Sequence, residues 1–301
     1  MTLGHDATGY VDRVGSSVHH LHVGDRVVME SALSCGICDY CKRGLYNICA
    51  DLIYNGFLAS YQTHPADLCH RLPDSIGMDE GTLAQTLAMG CQACFKADIS
   101  PTSNVLIIGT TPTAVSAAMC AMAIGAKKVT IAGTMESALE MIDRELGYHT
   151  IHYDANALFG EVLEAVYCKF QEWPNCAINC AITPMTMNLA VMALQPCSVC
   201  VLAECESECA SFNALDILMK NIRLVPSFRS ANMYPTALQL MKSGRAPMHK
   251  FIGQVFAWGN VEEAFQCALH ESNVGLRKVI VNGKSSNIGL QARKRSHRFQ
   301  D

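Results

Sequence analysis

Four cysteines, Cys35, Cys38, Cys41 and Cys49, fall within fifteen residues in the spacing C-x2-C-x2-C-x7-C. Two-residue spacers let neighbouring thiolates turn onto one metal, and the seven-residue excursion returns the fourth. Four sulfurs fill the tetrahedral shell of Zn²⁺ and leave no position open for a substrate. The chemistry this stretch offers is structural: a zinc that closes a lobe. The pairs Cys91/Cys94, Cys176/Cys180, Cys197/Cys200 and Cys205/Cys209 read instead as small apolar residues. Cys197 and Cys200, three apart near a strand, point to opposite faces. His19, His20 and His22 sit beside the turn at Gly24-Asp25 and read as a solvated loop.

Strands and helices alternate from Asn104 onward. Val105-Leu106-Ile107-Ile108 is a short buried strand, followed by Gly109 and an apolar helix to Ile124. Lys128–Ala132 is a second strand, and a helix from about Glu136 stops at Gly147. Ala177–Cys180, Val199–Ala203 and Ile222–Val225 repeat the strand pattern. Alternation of this kind predicts an α/β fold, a Rossmann-type doubly wound parallel sheet, over residues 90–231. Residues 1–89 are strand and turn material. A helix at Tyr234–Lys242, a strand at 251–256, a helix from near Asn260 and a strand at 278–281 are expected to return to the N-terminal domain.

The 301 residues are half hydrophobic, enough for two domains with real cores. A net charge of −4 gives no general attraction to nucleic acid or anionic membrane. No apolar run is long enough to span a bilayer, and the N-terminus lacks the pattern of a signal peptide. Sixteen cysteines with a zinc-type cluster in a chain this long predict a reduced, cytoplasmic protein. The basic stretch Arg293–Arg298, within a tail at 285–301, reads as a solvated end.

Gly4-His5-Asp6-Ala7-Thr8-Gly9-Tyr10-Val11, Val14-Gly15 and Gly24-Asp25-Arg26-Val27 resemble the zinc signature of the medium-chain dehydrogenase/reductases. The four-cysteine lobe sits where that superfamily carries one. His64-Pro65-Ala66-Asp67, Leu72-Pro73-Asp74, Glu80-Gly81 and Phe228-Arg229 resemble the sorbitol (polyol) dehydrogenase branch, and the likeness runs from about Leu3 to Gly283. The resemblance implies a GroES-like, β-rich catalytic domain at 1–89 and 232–284, truncated at its start. It also implies NAD-linked oxidation of a small polyol to a ketose on a catalytic zinc acting as a Lewis acid. Assembly with itself or with relatives is a further implication. Met1 matches a mid-domain position, so the expectation is a chain without the upstream strands and cysteine ligand of relatives, either through loss of that part of the gene or because the sequence starts internally.

Against that pattern the chemistry departs. His5 keeps the family histidine, the following glutamate is Asp6, and a later ligand glutamate is Gln85. An amide brings no negative charge, so a tightly held catalytic zinc is not expected. The phosphate turn G-x-G-P-x-G reads Gly109-Thr110-Thr111-Pro112-Thr113-Ala114. Gly109 keeps the tight turn and Ala114 is a tolerated variant, but Thr111 stands where a glycine lets the backbone approach pyrophosphate. The acid that holds the adenosine ribose is Gly133, so neither NAD nor NADP is specified, and Thr134 and Ser137 read as helix caps. Glycines beside the nicotinamide correspond to Ile182 and Glu204. Arg229 keeps a position that in polyol dehydrogenases contacts substrate and cofactor. The expectation is a polyol-dehydrogenase-like protein impaired in hydride transfer, or alternatively a zinc-stabilised scaffold or regulatory partner of active relatives.

Overall fold

The run Asn104–Ile108 is buried at every position and forms β1, the centre of a six-stranded sheet. The computed structural model describes residues 2–205, 209–271 and 276–283; the basic tail lies outside them. Beside β1 stand β2 (Lys128–Gly133) and β3 (His149–His152) on one side. On the other stand β4 (Cys176–Asn179), β5 (Val199–Leu202) and β6 (Arg223–Pro226). All pairings are parallel, and the spatial order is 3-2-1-4-5-6, the doubly wound order with its switch point between β1 and β4.

Helices cover both faces because the central strands β1 and β4 are buried at every position. Leu106 and Ile108 of β1 pack with Val162, Val166 and Phe170 of one helix (Phe159–Phe170) and Leu189 to Val191 of another (Pro184–Met192). Val105 and Ile107 alternate to the opposite face. Against the sheet lies α2 (Pro112–Ile124), and α1 (Ala84–Lys96) packs on α2, with Gly90 close to the Ala117 backbone. Helix α2 is built at its ends: Thr111 is its N-cap, Pro112 opens it, and Gly125 closes it at φ +102°. Its alanines Ala114, Ala117, Ala118 and Ala121 are fully buried. The next helix, Glu136–Leu146, starts at Met135 with no side-chain cap, so neither Thr134 nor Ser137 performs the capping expected of them.

The chain divides into two compact units, one of them built on Thr86–Lys250. That is wider than the 90–231 expected, because the flanking helices tie themselves to the sheet layer. Gln92 Oε1 accepts from the Ala231 amide at 3.2 Å, Arg245 donates to the Ala123 carbonyl at 3.2 Å, and Lys250 donates to the Glu145 carbonyl. Helix Tyr234–Lys242, expected to return to the N-terminal domain, belongs here instead, burying Tyr234, Ala237, Leu238 and Met241.

The second unit comprises Met1–Gln85, Phe251–Glu271 and the stretch from Arg277. Ala7–Tyr10, Arg26–Met29 and Cys69–Arg71 form an antiparallel sheet in that order. Ile252–Ala257 and Lys278–Asn282 pair in parallel around the helix Val261–Glu271. The helical turn Met78–Gly81 lies on the first strand, where Thr8 donates to the Met78 carbonyl at 3.0 Å.

Candidate functional site

The four cysteine sulfurs converge. All lie within 4.8 Å of one another, and among the described residues they form the one cluster of three or more candidate ligands. A tetrahedral zinc with bonds of about 2.3 Å sets sulfurs roughly 3.8 Å apart; Cys38 Sγ and Cys49 Sγ stand 4.0 Å apart. Backbone amides reach three of the sulfurs. The amide of Cys35 donates to Cys49 Sγ at 3.3 Å, that of Cys38 to Cys35 Sγ at 3.4 Å, and that of Cys41 to Cys38 Sγ at 3.5 Å. The amides of Cys41 and Ala50 hold the Cys38 thiol down to about 6, while desolvation and the neighbouring Cys38 push Cys41 up to about 11. Ionising Cys38 and Cys41 together is therefore opposed in a bare cluster, and a divalent cation removes that conflict. These residues fit zinc.

The lobe is tied to its sheet through a residue that motif reading missed. Glu30 is 4% exposed, and its two carboxylate oxygens each accept from the Tyr46 hydroxyl at 3.1 Å. His70 Nε2 meets the same carboxylate at 2.7 Å. Tyr46 belongs to the lobe and His70 to the sheet, so one buried acid joins them. The available signal was an acid directly after the apolar strand Val27-Val28-Met29.

The positions matching a catalytic zinc are arranged differently. Asp6, with a side chain 11% exposed, pairs with the Lys278 ammonium through Oδ2 and faces His5 Nδ1 from Oδ1 at 3.3 Å. His5 is 64% exposed at its side chain. Gln85 is buried in the first turn of α1. A lysine already neutralises the one carboxylate, and the third position is uncharged, so this set does not fit a tightly held catalytic metal. Lys278 carried no signal in the sequence beyond opening an apolar strand.

The phosphate turn lies at the C-terminal end of β1, where doubly wound sheets bind ligands. Gly109, at φ +112°, has no room for a side chain: a Cβ there would lie 3.1 Å from Ala181 Cβ and 3.2 Å from the Cys180 carbonyl carbon. Thr111 Oγ1 accepts from the Ala114 amide at 3.2 Å as the cap of α2. The same hydroxyl donates to Glu204 Oε2 at 2.5 Å, and Thr113 Oγ1 donates to Glu204 Oε1 at 2.7 Å. At the neighbouring strand end, a Cβ on Gly133 would lie 2.6 Å from Thr110 Cγ2. A carboxylate over the turn and a methyl against the ribose position do not fit a dinucleotide. Arg229, half-buried, has φ +51° and stacks its guanidinium 5.8 Å from the Phe228 ring centre.

The remaining cysteines lie elsewhere. Cys91, Cys94, Cys176, Cys180 and Cys200 are buried in the α/β unit, and burial pushes Cys176 and Cys200 up to about 12. The sixteen cysteines form no disulfide among the described residues.

Fold and lobe together define a zinc-containing medium-chain dehydrogenase/reductase, and the chain belongs to that superfamily. Residues 1–74 match the alcohol dehydrogenase GroES-like domain. Within the superfamily it stands in the sorbitol dehydrogenase branch. It is 31% identical to a sorbitol dehydrogenase of Bombyx mori over 89% of this chain and 79% of that one. It is 29% identical to an L-idonate 5-dehydrogenase of Vitis vinifera, over 91% and 77% of the two chains. Among solved structures, galactitol-1-phosphate dehydrogenase from Escherichia coli superposes with a TM-score of 0.81 at 23% identity, over 90% and 82% of the chains.

Proposed function

We propose that this chain is a sorbitol-dehydrogenase-like protein in which NAD-linked oxidation of a small polyol to a ketose is impaired. The observation that carries the reading is the pairing of Lys278 with Asp6. A carboxylate neutralised by an ammonium binds a divalent cation weakly, and neither His5 nor the amide of Gln85 makes good the lost charge. Arg229 is the inherited contact for a polyol hydroxyl. The complete cysteine set beside the depleted catalytic set favours a second reading: a zinc-stabilised scaffold or regulatory partner that assembles with itself or with active relatives. A cytoplasmic setting accords with thiols kept for metal rather than disulfides. No helix among the described residues is long and apolar enough to cross a membrane.

Metal analysis of the purified chain tests the reading, with NADH formation followed on sorbitol, xylitol, ribitol and L-idonate. One zinc per chain with negligible NADH supports it. Two zincs with turnover would refute it.

A further inference from the structure

The dinucleotide seat of this fold is filled from within. Glu204 follows β5, and its backbone is fixed by a contact between the Ile182 amide and the Glu204 carbonyl at 3.4 Å. Ile182 and Cys205 also form an isolated parallel bridge just beyond the ends of β4 and β5. The side chain reaches the start of α2 and takes a hydroxyl on each carboxylate oxygen, from Thr111 at 2.5 Å and Thr113 at 2.7 Å. Thr113 is 3% exposed, so its hydroxyl sits in a recess that the carboxylate closes. An anion at a helix N-terminus is favoured by the helix dipole and the unpaired amides there. In dinucleotide-binding sheets that anion is the pyrophosphate. Glu204 is also near enough to act on Cys180, whose thiol is pushed well up by burial first and by the Glu204 charge second.

We propose that Glu204 is an intramolecular stand-in for the cofactor's pyrophosphate and the specificity-determining residue that excludes nicotinamide dinucleotides from this chain. Pyrophosphate entering the turn meets a like charge in the same seat and must break both threonine contacts to displace it. Thr110 reinforces the exclusion, because its methyl stands against Gly133 where the ribose edge would lie. Cofactor exclusion at this seat is independent of metal binding, since the phosphate turn and the Asp6 site draw on different residues.

The test is direct titration of the full, zinc-loaded chain with NADH and NADPH, following cofactor fluorescence. The wild-type chain is expected to show no saturation at millimolar cofactor. Glu204→Gly, which removes the carboxylate and its stem, is expected to bind NADH at least about tenfold more tightly than wild type. Glu204→Gln keeps the volume, removes the charge and is expected to gain less; it carries the same test should the glycine variant not fold. Zinc content and thermal unfolding of each variant check that the fold is intact. Wild-type saturation at micromolar NADH overturns the proposal, as does a folded Glu204→Gly chain that binds no better than wild type. Both results leave the zinc count, and the reading built on it, untouched.

Discussion

Lys278 places its ammonium on the carboxylate of Asp6, joining residues 272 positions apart in the sequence. With Asp6 only 11% exposed at its side chain, the pair is a structural ion pair at a position where the superfamily carries a metal-site carboxylate. Removing the lysine leaves a buried, uncompensated charge. Lys278→Met is therefore expected to lower unfolding stability by about 2–4 kcal/mol, and Asp6→Asn/Lys278→Met to recover much of the loss. Urea denaturation of the two single variants and the double variant measures the coupling. Additive losses would remove the pair from its structural role.

Zinc removal gives a sharper result. Metal binding to a four-cysteine lobe contributes on the order of 10 kcal/mol to forming that lobe. Cys49→Ser is expected to abolish stoichiometric zinc and to lower the thermal midpoint markedly, with Tyr46 and Glu30 transmitting the loss to the sheet. Because the ligands bind as thiolates, zinc retention should weaken as pH falls. Elemental analysis after dialysis at stepwise lower pH tests this.

Gly133 and Thr110 are predicted to be coupled. A Cβ on Gly133 meets Thr110 Cγ2 at 2.6 Å but Thr110 Cβ only at 3.7 Å, an ordinary contact. Gly133→Ala is expected to cost about 1 kcal/mol through crowding, and Thr110→Ala in the same chain to relieve it. Chemical denaturation of the single and double variants decides. The pairing also means that an acid at position 133 is expected to fit better once Thr110 is changed to Ala.

His64 supplies a pH signature. Its ring packs edge-on against Phe57, with centroids 5.1 Å apart, and both ring nitrogens are shielded from solvent. Burial pushes the imidazole below its usual pKa. The unfolded chain then binds the proton first, so the stabilisation is complete above about pH 6.5 and diminishes as pH falls from there. His64→Phe is expected to flatten the stability profile below about pH 6.5. Urea midpoints across that range provide the check, and an unchanged slope would assign the dependence to other groups.

Much of the sheet was readable in the chain because burial on both faces writes continuous apolar runs: Val105–Ile108 could hardly be anything but a central strand. Strand His149–His152 escaped the same reading, since the outermost strand carries two exposed histidines and a threonine among its four residues. The zinc ligands were legible because they are local, closing within fifteen residues. What was illegible depends on folding to bring distant residues together. Glu204 stands where relatives carry a glycine, but nothing in the sequence says that Thr111 and Thr113 bind it from more than ninety residues away. Lys278 on Asp6 and Glu30 between Tyr46 and His70 belong to the same kind.

The amides that support the lobe's sulfurs belong to Cys35, Cys38 and Cys41, the ligating residues themselves, and to their neighbours Gly36 and Ala50. No intervening side chain is needed for that support. Residues between the ligands can drift through evolution so long as the chain still makes its turns at Gly36 and Gly44, both at positive φ. A centre built on main chain in this way is mutationally robust, whereas one assembled from remote side chains decays with the first few changes. By that asymmetry, substitutions between the four cysteines are expected to disturb the lobe less than substitutions at Asp6 or Lys278 disturb their pair.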